Sequence, residues 1–237
     1  MNATLEYKKK DAQNIYSFWF RPNSQLHYIA GQFIQLQIPI ANSVVGGNKR
    51  RFTLSSAPTE KLVSITTRIN PINASPFKQA LAKLELGSSV KLSDAMGDFV
   101  LPQKTEIPII MIAGGIGITP MRSIIKWLVD NRERRNIKLL YATSTYQSVA
   151  FRDLFENAPI DFSIILSRPP VNWTGQSGRL SADNIIDLSE RDKNTLIYVS
   201  GPEPMVKSLH SNLVLKGIAE YRIVTDCFIG YRSKTIQ

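Results

Sequence analysis

Residues 107–128, IPIIMIAGGIGITPMRSIIKWL, set the architecture. The first seven are an apolar run of strand length with no polar face, as in a strand buried on both sides of a parallel sheet. Gly114, Gly115 and Gly117 then make a tight turn, and Met121, Ile124, Ile125 and Leu128 follow at helical spacing. Similar runs recur at 137–143 (IKLLYAT), 161–167 (DFSIILS), 195–200 (TLIYVS) and 221–228 (YRIVTDCF), with room for a helix between each pair. The last such helix opens at Pro202 and turns Met205, Val206, Leu209 and Leu213 inward. Residues 104–237 therefore predict a doubly wound α/β domain on a parallel five-stranded sheet, with its ligand beyond the carboxyl ends of the strands.

Upstream the pattern changes. From residue 12 to about 100, apolar positions alternate with polar ones, as in Ile34, Leu36 and Ile38 and in Val63, Ile65, Thr67 and Ile69. Turn chemistry at Arg21-Pro22-Asn23, Gly46-Gly47-Asn48, Ala57-Pro58-Thr59 and Ala95-Met96-Gly97-Asp98 punctuates the strands at the spacing of a small antiparallel β-barrel. One helix interrupts, with Ser75 as N-cap, Pro76 at its first position and Gly87 as its C-terminal cap. Residues 1–103 are thus expected to form a separate barrel domain.

A chain of 237 residues can bury a core in each half. No stretch approaches the roughly 20 apolar residues of a membrane span. The amino terminus, with Lys8, Lys9 and Lys10 before any apolar run, lacks the order of a signal peptide, and a cytoplasmic location is expected. Cys227 is the only cysteine, so the chain alone builds neither a disulfide nor a cysteine-ligated iron–sulfur or zinc site. His27 and His210 have no partners at metal-site spacing. The formal charge of +10 favours an acidic partner or polyanionic ligand. The basic runs Lys8–Lys10 and Arg132, Arg134 and Arg135 lack interleaved aromatics, which argues against nucleic acid.

Three segments carry chemistry. Arg50-Arg51-Phe52-Thr53-Leu54-Ser55-Ser56 offers a guanidinium for phosphate, an aromatic ring to pack on a flavin, and hydroxyls for its polar edge; alone, it reads equally as a barrel strand. Gly114-Gly115-Ile116-Gly117-Ile118-Thr119-Pro120 lies between strand and helix, where backbone N–H groups and the helix dipole receive phosphate. It departs from the dinucleotide fingerprint at Pro120, and Thr143, Ser144 and Thr145 stand where an acidic residue would end the next strand, so an ordinary Rossmann dehydrogenase is disfavoured. Ser200-Gly201-Pro202-Glu203-Pro204-Met205 is a third strand-to-helix turn.

In this order, the segments resemble the ferredoxin:NADP reductase superfamily over nearly the whole chain. Arg50-x-Phe52-Thr53-x-x-Ser56 is similar to its flavin motif, Gly114 to Pro120 to its pyridine-nucleotide turn, and Ser200-Gly201-Pro202-x-x-Met205 to its C-G-P-x-x-M segment. The resemblance implies an FAD-binding barrel, a carboxy-terminal NAD(P)-binding domain, and hydride transfer across the cleft between them. Arg50 would bind the FAD pyrophosphate, Phe52 would pack on the ring, and Thr53 would hydrogen-bond near its reactive nitrogen. Leu54, Ser55 and Ser56 complete that motif; Ile65, Thr66, Thr67 and Arg68 would line the FAD, and Ser75, Pro76, Phe77 and Lys78 would receive its pyrophosphate. Gly114, Gly115, Gly117, Ile118, Thr119 and Pro120 would hold the nicotinamide nucleotide, bordered by Ser200, Gly201, Pro202 and Met205.

The implied catalytic set is Thr53, Ser200 and Asp226. Ser200 stands where the family has cysteine, Asp226 answers to its carboxy-terminal acidic residue, and Phe228 is an aromatic placed to shield the flavin. An FAD-dependent NAD(P)H reductase feeding an acidic ferredoxin-like protein is the leading expectation. A free-standing reductase of free flavin, quinone or another small acceptor and a non-catalytic flavin-binding regulatory module are the alternatives. NADH against NADPH stays open, with Arg152 and Arg168 as candidate 2′-phosphate ligands, and the flavin motif alone admits FMN as well as FAD.

Overall fold

The computed structural model describes residues 1–40, 47–189 and 192–228. The first sheet contains β1 (Asn2–Ala12), β2 (Ile15–Pro22), β3 (Phe33–Gln37), β4 (Lys49–Thr53), β5 (Val63–Arg68) and, after helix α1 (Pro76–Lys83), β6 (Ser89–Leu92). Every pairing is antiparallel, in the order β4-β3-β6-β1-β2-β5. Its two edges meet where Leu54 bridges Ile65 and the Ser55 N–H donates to the Ser64 carbonyl at 2.8 Å, which closes the barrel. Alternation buries Leu5, Phe18, Phe20, Ile34, Leu36 and Ile65 inside, and Phe77 and Leu81 of α1 join this core.

β1 lies outside the expected strand pattern, since it begins at Asn2 and carries Lys8–Lys10 on its exposed stretch. Only Ala3 and Leu5 alternate inward, too few for a periodic signal. The helix begins as expected: Ser75 Oγ accepts from the Lys78 N–H at 3.4 Å, with Pro76 in the first turn. It ends earlier than Gly87, at Leu84, and Gly87 (φ +83°) serves the following turn.

The second sheet is parallel: β7 (Ile109–Gly114), β8 (Ile137–Thr143), β9 (Asp161–Leu166), β10 (Gln176–Ser177), β11 (Leu196–Pro202) and β12 (Ile223–Phe228), ordered β10-β9-β8-β7-β11-β12. Five strands coincide with the five apolar runs. The expected five-stranded sheet is corrected to six: β10 has two exposed residues, and a pairing that buries no side chain leaves no apolar run to read.

Helices α2 (Ile118–Asp130) and α3 (Arg152–Asn157) cover one face, and α4 (Ala182–Ser189) and α5 (Glu203–Leu215) the other. Successive residues of β7 serve opposite cores: Ile109, Met111 and Ala113 face α2, while Ile110 and Ile112 face α5. Strand order reverses between β7 and β11, and ligands bind outside the strand ends at such a switch point. No helix among the described residues is long and apolar enough to cross a membrane.

The units are joined along α2. Arg122 donates to the Ser55 carbonyl at 2.9 Å, pairs with Glu60, and lies over Trp19 and Phe151. Ser123 Oγ donates to the Ser56 carbonyl at 2.5 Å.

Candidate functional site

The flavin-type motif lies on β4 and the turn after it. Arg50, Phe52, Thr53, Thr66, Thr67, Arg68, Ser75, Phe77 and Lys78 line a cleft of about 350 Å³, with Ile116 and Thr119 contributed by the second unit. Its volume is in the range of small-molecule sites. Arg50 lies 5.4 Å over the Phe77 ring and Phe52 packs at 5.9 Å from the same ring, so α1 props both. Lys78 Nζ donates to the Arg68 carbonyl at 2.8 Å, and burial followed by the nearby Arg68 charge holds its ammonium below the usual lysine range. A partly desolvated cation beside a second cation and a helix amino terminus is matched by a phosphate group.

Other residues expected around the flavin do not line this cleft. Leu54 and Ile65 are in the barrel core, Ser55 and Ser56 are spent on buried hydrogen bonds, and Pro76 is exposed at the helix start.

A second cleft, of about 820 Å³, opens over the carboxyl ends of β7, β8 and β9. It is lined by Gly114, Gly115, Thr143, Ser144, Ser167, Arg179, Pro202 and Met205, and it shares Arg68, Lys78 and Ile116 with the first. Gly115 has φ +54°, and a Cβ there would sit 3.7 Å from an Arg68 nitrogen. Gly117 works differently, since a Cβ would lie 2.2 Å from the Ser200 carbonyl oxygen; its missing side chain lets the turn seat on β11. Gly117, Ile118, Pro120, Ser200 and Gly201 are buried and line neither cleft. Thr119, expected with the nicotinamide nucleotide, is on the wall of the first cleft.

Thr53, Ser200 and Asp226, from three separated segments, come together. Thr53 Oγ1 donates to Asp226 Oδ2 at 3.3 Å, and Ser200 is the register partner of Asp226. Burial pushes the Asp226 carboxyl above the ordinary aspartate value, with the Thr53 hydrogen bond opposing it. Ser200 Oγ is buried without a hydrogen-bond partner among the described residues, as is Thr143 Oγ1 on the second cleft. Buried hydroxyls left unpaired, a desolvated lysine and a backbone bare of side chains fit a phosphate-bearing dinucleotide in each cleft. Phe228 ends β12 opposite Pro202, and its side chain is outside the described residues.

Asn70, Asn73, Ile116 and Arg179 line the clefts without a sequence signal of their own. Arg179 adjoins the two-residue strand β10, so nothing periodic points to it. Arg152 lines neither cleft: it donates to the Tyr146 hydroxyl at 2.6 Å and pairs with Glu156 at 3.4 Å. Arg168 likewise lines neither.

Residues 111–211 match the family described as Oxidoreductase NAD-binding domain. Flavohemoprotein A of Dictyostelium discoideum is 24% identical over 94% of this chain, and human NADH-cytochrome b5 reductase 2 is 29% identical over 92% of it. The match spans 59% of the first and 91% of the second; the flavohemoprotein of Oceanobacillus iheyensis is covered over 57%, so flavohemoproteins are longer proteins of which this chain matches less than two thirds. Among solved structures, a ferredoxin NADP+ reductase from Neisseria gonorrhoeae with bound FAD and NADP superimposes with a TM-score of 0.80, at 19% identity, over 96% of this chain and 98% of that one.

Proposed function

We propose that the chain is a flavoprotein reductase of the ferredoxin:NADP reductase-like oxidoreductase superfamily, one that takes reducing equivalents from NAD(P)H onto FAD and passes them to a separate acceptor. The observation that carries this reading is the joining of two phosphate-type clefts through shared Arg68 and Lys78, with the Thr53–Asp226–Ser200 cluster beside them.

FAD in the first cleft would supply a two-electron centre that can also release electrons singly. The chain's contribution is alignment. Arg50, Lys78 and the start of α1 would hold its pyrophosphate, Phe52 would support the ring, and Thr53 would meet its reactive edge. Gly114, Gly115 and the start of α2 would take the nicotinamide nucleotide, whose ring would lie over Ser200. Asp226 can carry a proton, and Thr53 is the hydroxyl through which it reaches the cleft.

For the acceptor we propose an acidic electron-transfer protein of ferredoxin or small-cytochrome type, supported by the +10 charge and by the cytochrome named in the human relative. A cytoplasmic setting suits the free, exposed thiol of Cys227.

The test is anaerobic stopped-flow reduction of the FAD-loaded protein by NADH and by NADPH, followed by mixing with an acidic ferredoxin or a small quinone at several ionic strengths. Arg50→Ala is expected to lose FAD, and Thr53→Ala to slow flavin reduction about 10- to 100-fold. Salt should suppress turnover with the protein acceptor alone. Normal flavin content and normal reduction in both variants would overturn the assignment, and equal salt response with both acceptors would replace the protein partner by a small oxidant.

A further inference from the structure

A buried line of hydroxyls leads from β1 to the wall of the first cleft. Asp11 accepts a hydrogen bond from Ser17 Oγ, and its other oxygen lies 3.3 Å from Lys9 Nζ. Ser17 Oγ is 2.5 Å from Thr66 Oγ1, Thr66 Oγ1 is 2.7 Å from Ser55 Oγ, and Ser55 Oγ is 2.8 Å from Ser64 Oγ. All four hydroxyl-bearing residues are buried. Thr66 is the member that lines the cleft.

Each hydroxyl has one proton to donate, so the end of the line sets its polarity. The Asp11 carboxylate, paired with Lys9, only accepts. Ser17 therefore spends its proton on Asp11 and must accept from Thr66. Thr66 spends its own on Ser17 and toward Ser55 can only accept, although the Ser55 proton also reaches the Ser64 carbonyl at 3.2 Å. What remains at Thr66 Oγ1 is acceptor capacity and no proton. In a buried setting successive hydrogen bonds polarise one another, which holds this arrangement against rotation of a single hydroxyl.

We propose that Asp11, acting through Ser17, makes Thr66 an obligate hydrogen-bond acceptor on the cleft wall, and that the group it accepts from is the imide N–H of the isoalloxazine ring. The inference rests on the flavoprotein reading above. A ring presented to Thr66 by an acceptor-only edge would leave two acceptors facing each other, so the line selects one orientation of the flavin. Asp11 and Ser17 are positioning residues; Thr66 makes the contact.

The test titrates the full chain with FAD and with 3-methyl-FAD, in which a methyl group replaces the imide proton, by flavin fluorescence. The wild type is expected to bind FAD about tenfold more tightly, the worth of one hydrogen bond. Asp11→Asn is nearly isosteric, but its amide can donate to Ser17 and reverse the line; Ser17→Ala cuts it. Both should reduce the preference to about twofold or less, whereas Ser17→Thr, which keeps the hydroxyl, should retain it. Should Ser17→Ala fail to fold, Asp11→Asn decides alone. A preference unchanged in well-folded Asp11→Asn, as steric exclusion of the methyl group would give, overturns the proposal, and so does a wild type that binds both flavins equally. A wild type that binds neither flavin instead overturns the flavoprotein reading itself.

Discussion

Asp226 shows how position gives an ordinary side chain a particular chemistry. In the sequence it is one strand-end aspartate among many acidic residues; in the fold it is desolvated against Thr53 and lies beside Ser200. Its proton is held more tightly in the folded chain than in the unfolded one. Ionisation therefore costs folding free energy once pH exceeds the folded pKa, and the penalty disappears below the unfolded value. Asp226→Asn should consequently be more stable than wild type at neutral pH, with the gap closing as pH falls into the ordinary carboxylate range. Thermal melts between about pH 4 and 8 measure this, and a gap independent of pH would contradict it. Arg50 and Thr53 were legible because residue type and spacing announce them. Thr66 was legible only as a cleft residue, since its polarity depends on Asp11 and Ser17 across a strand pair.

The glycine-rich turn between β7 and α2 was legible as an element; the division of labour among its glycines was not. Gly115 faces the cleft and needs a left-handed conformation, whereas Gly117 is pressed on the backbone of β11, a strand distant in the chain. Gly117→Ala sets a Cβ 2.2 Å from the Ser200 carbonyl oxygen, and should cost about 3 kcal/mol or more. Gly115→Ala meets only an arginine tip and a φ of +54°, for about 1 kcal/mol. Urea denaturation of the two variants should rank them in that order; equal losses would remove the packing argument. The elements that escaped the sequence reading, β1 and β10, share one cause. Periodicity reports burial, and these strands bury two residues and none.

For the molecule as a whole, function depends on two units holding their clefts in register, and α2 is the strut. Its amino end carries the glycine turn, and one helical turn later Arg122 and Ser123 grip the carbonyls of Ser55 and Ser56, within the flavin-type motif. Arg122→Ala should lower stability by about 2 kcal/mol by leaving the largely buried Glu60 carboxylate unpaired. Arg122→Lys should not restore it, because one ammonium cannot replace a fork shared between Glu60 and the Ser55 carbonyl. Thermal denaturation of both variants is the check, and full rescue by lysine would show that charge alone holds the joint.

By itself, the sequence determined the class of each half, five of the six parallel strands and the place of the glycine-rich turn. Alternation, unbroken apolar runs and glycine placement are local properties, fixed by what each segment must bury or approach. Tertiary structure alone decided that Arg68 and Lys78 line both clefts, that Thr119 lines the first, that Arg179 and not Arg152 lines the second, and that Asp11 is joined to Thr66 through Ser17. These are relations between segments far apart in the chain. They arise from strand order, barrel closure and the docking of α2, which no single stretch encodes.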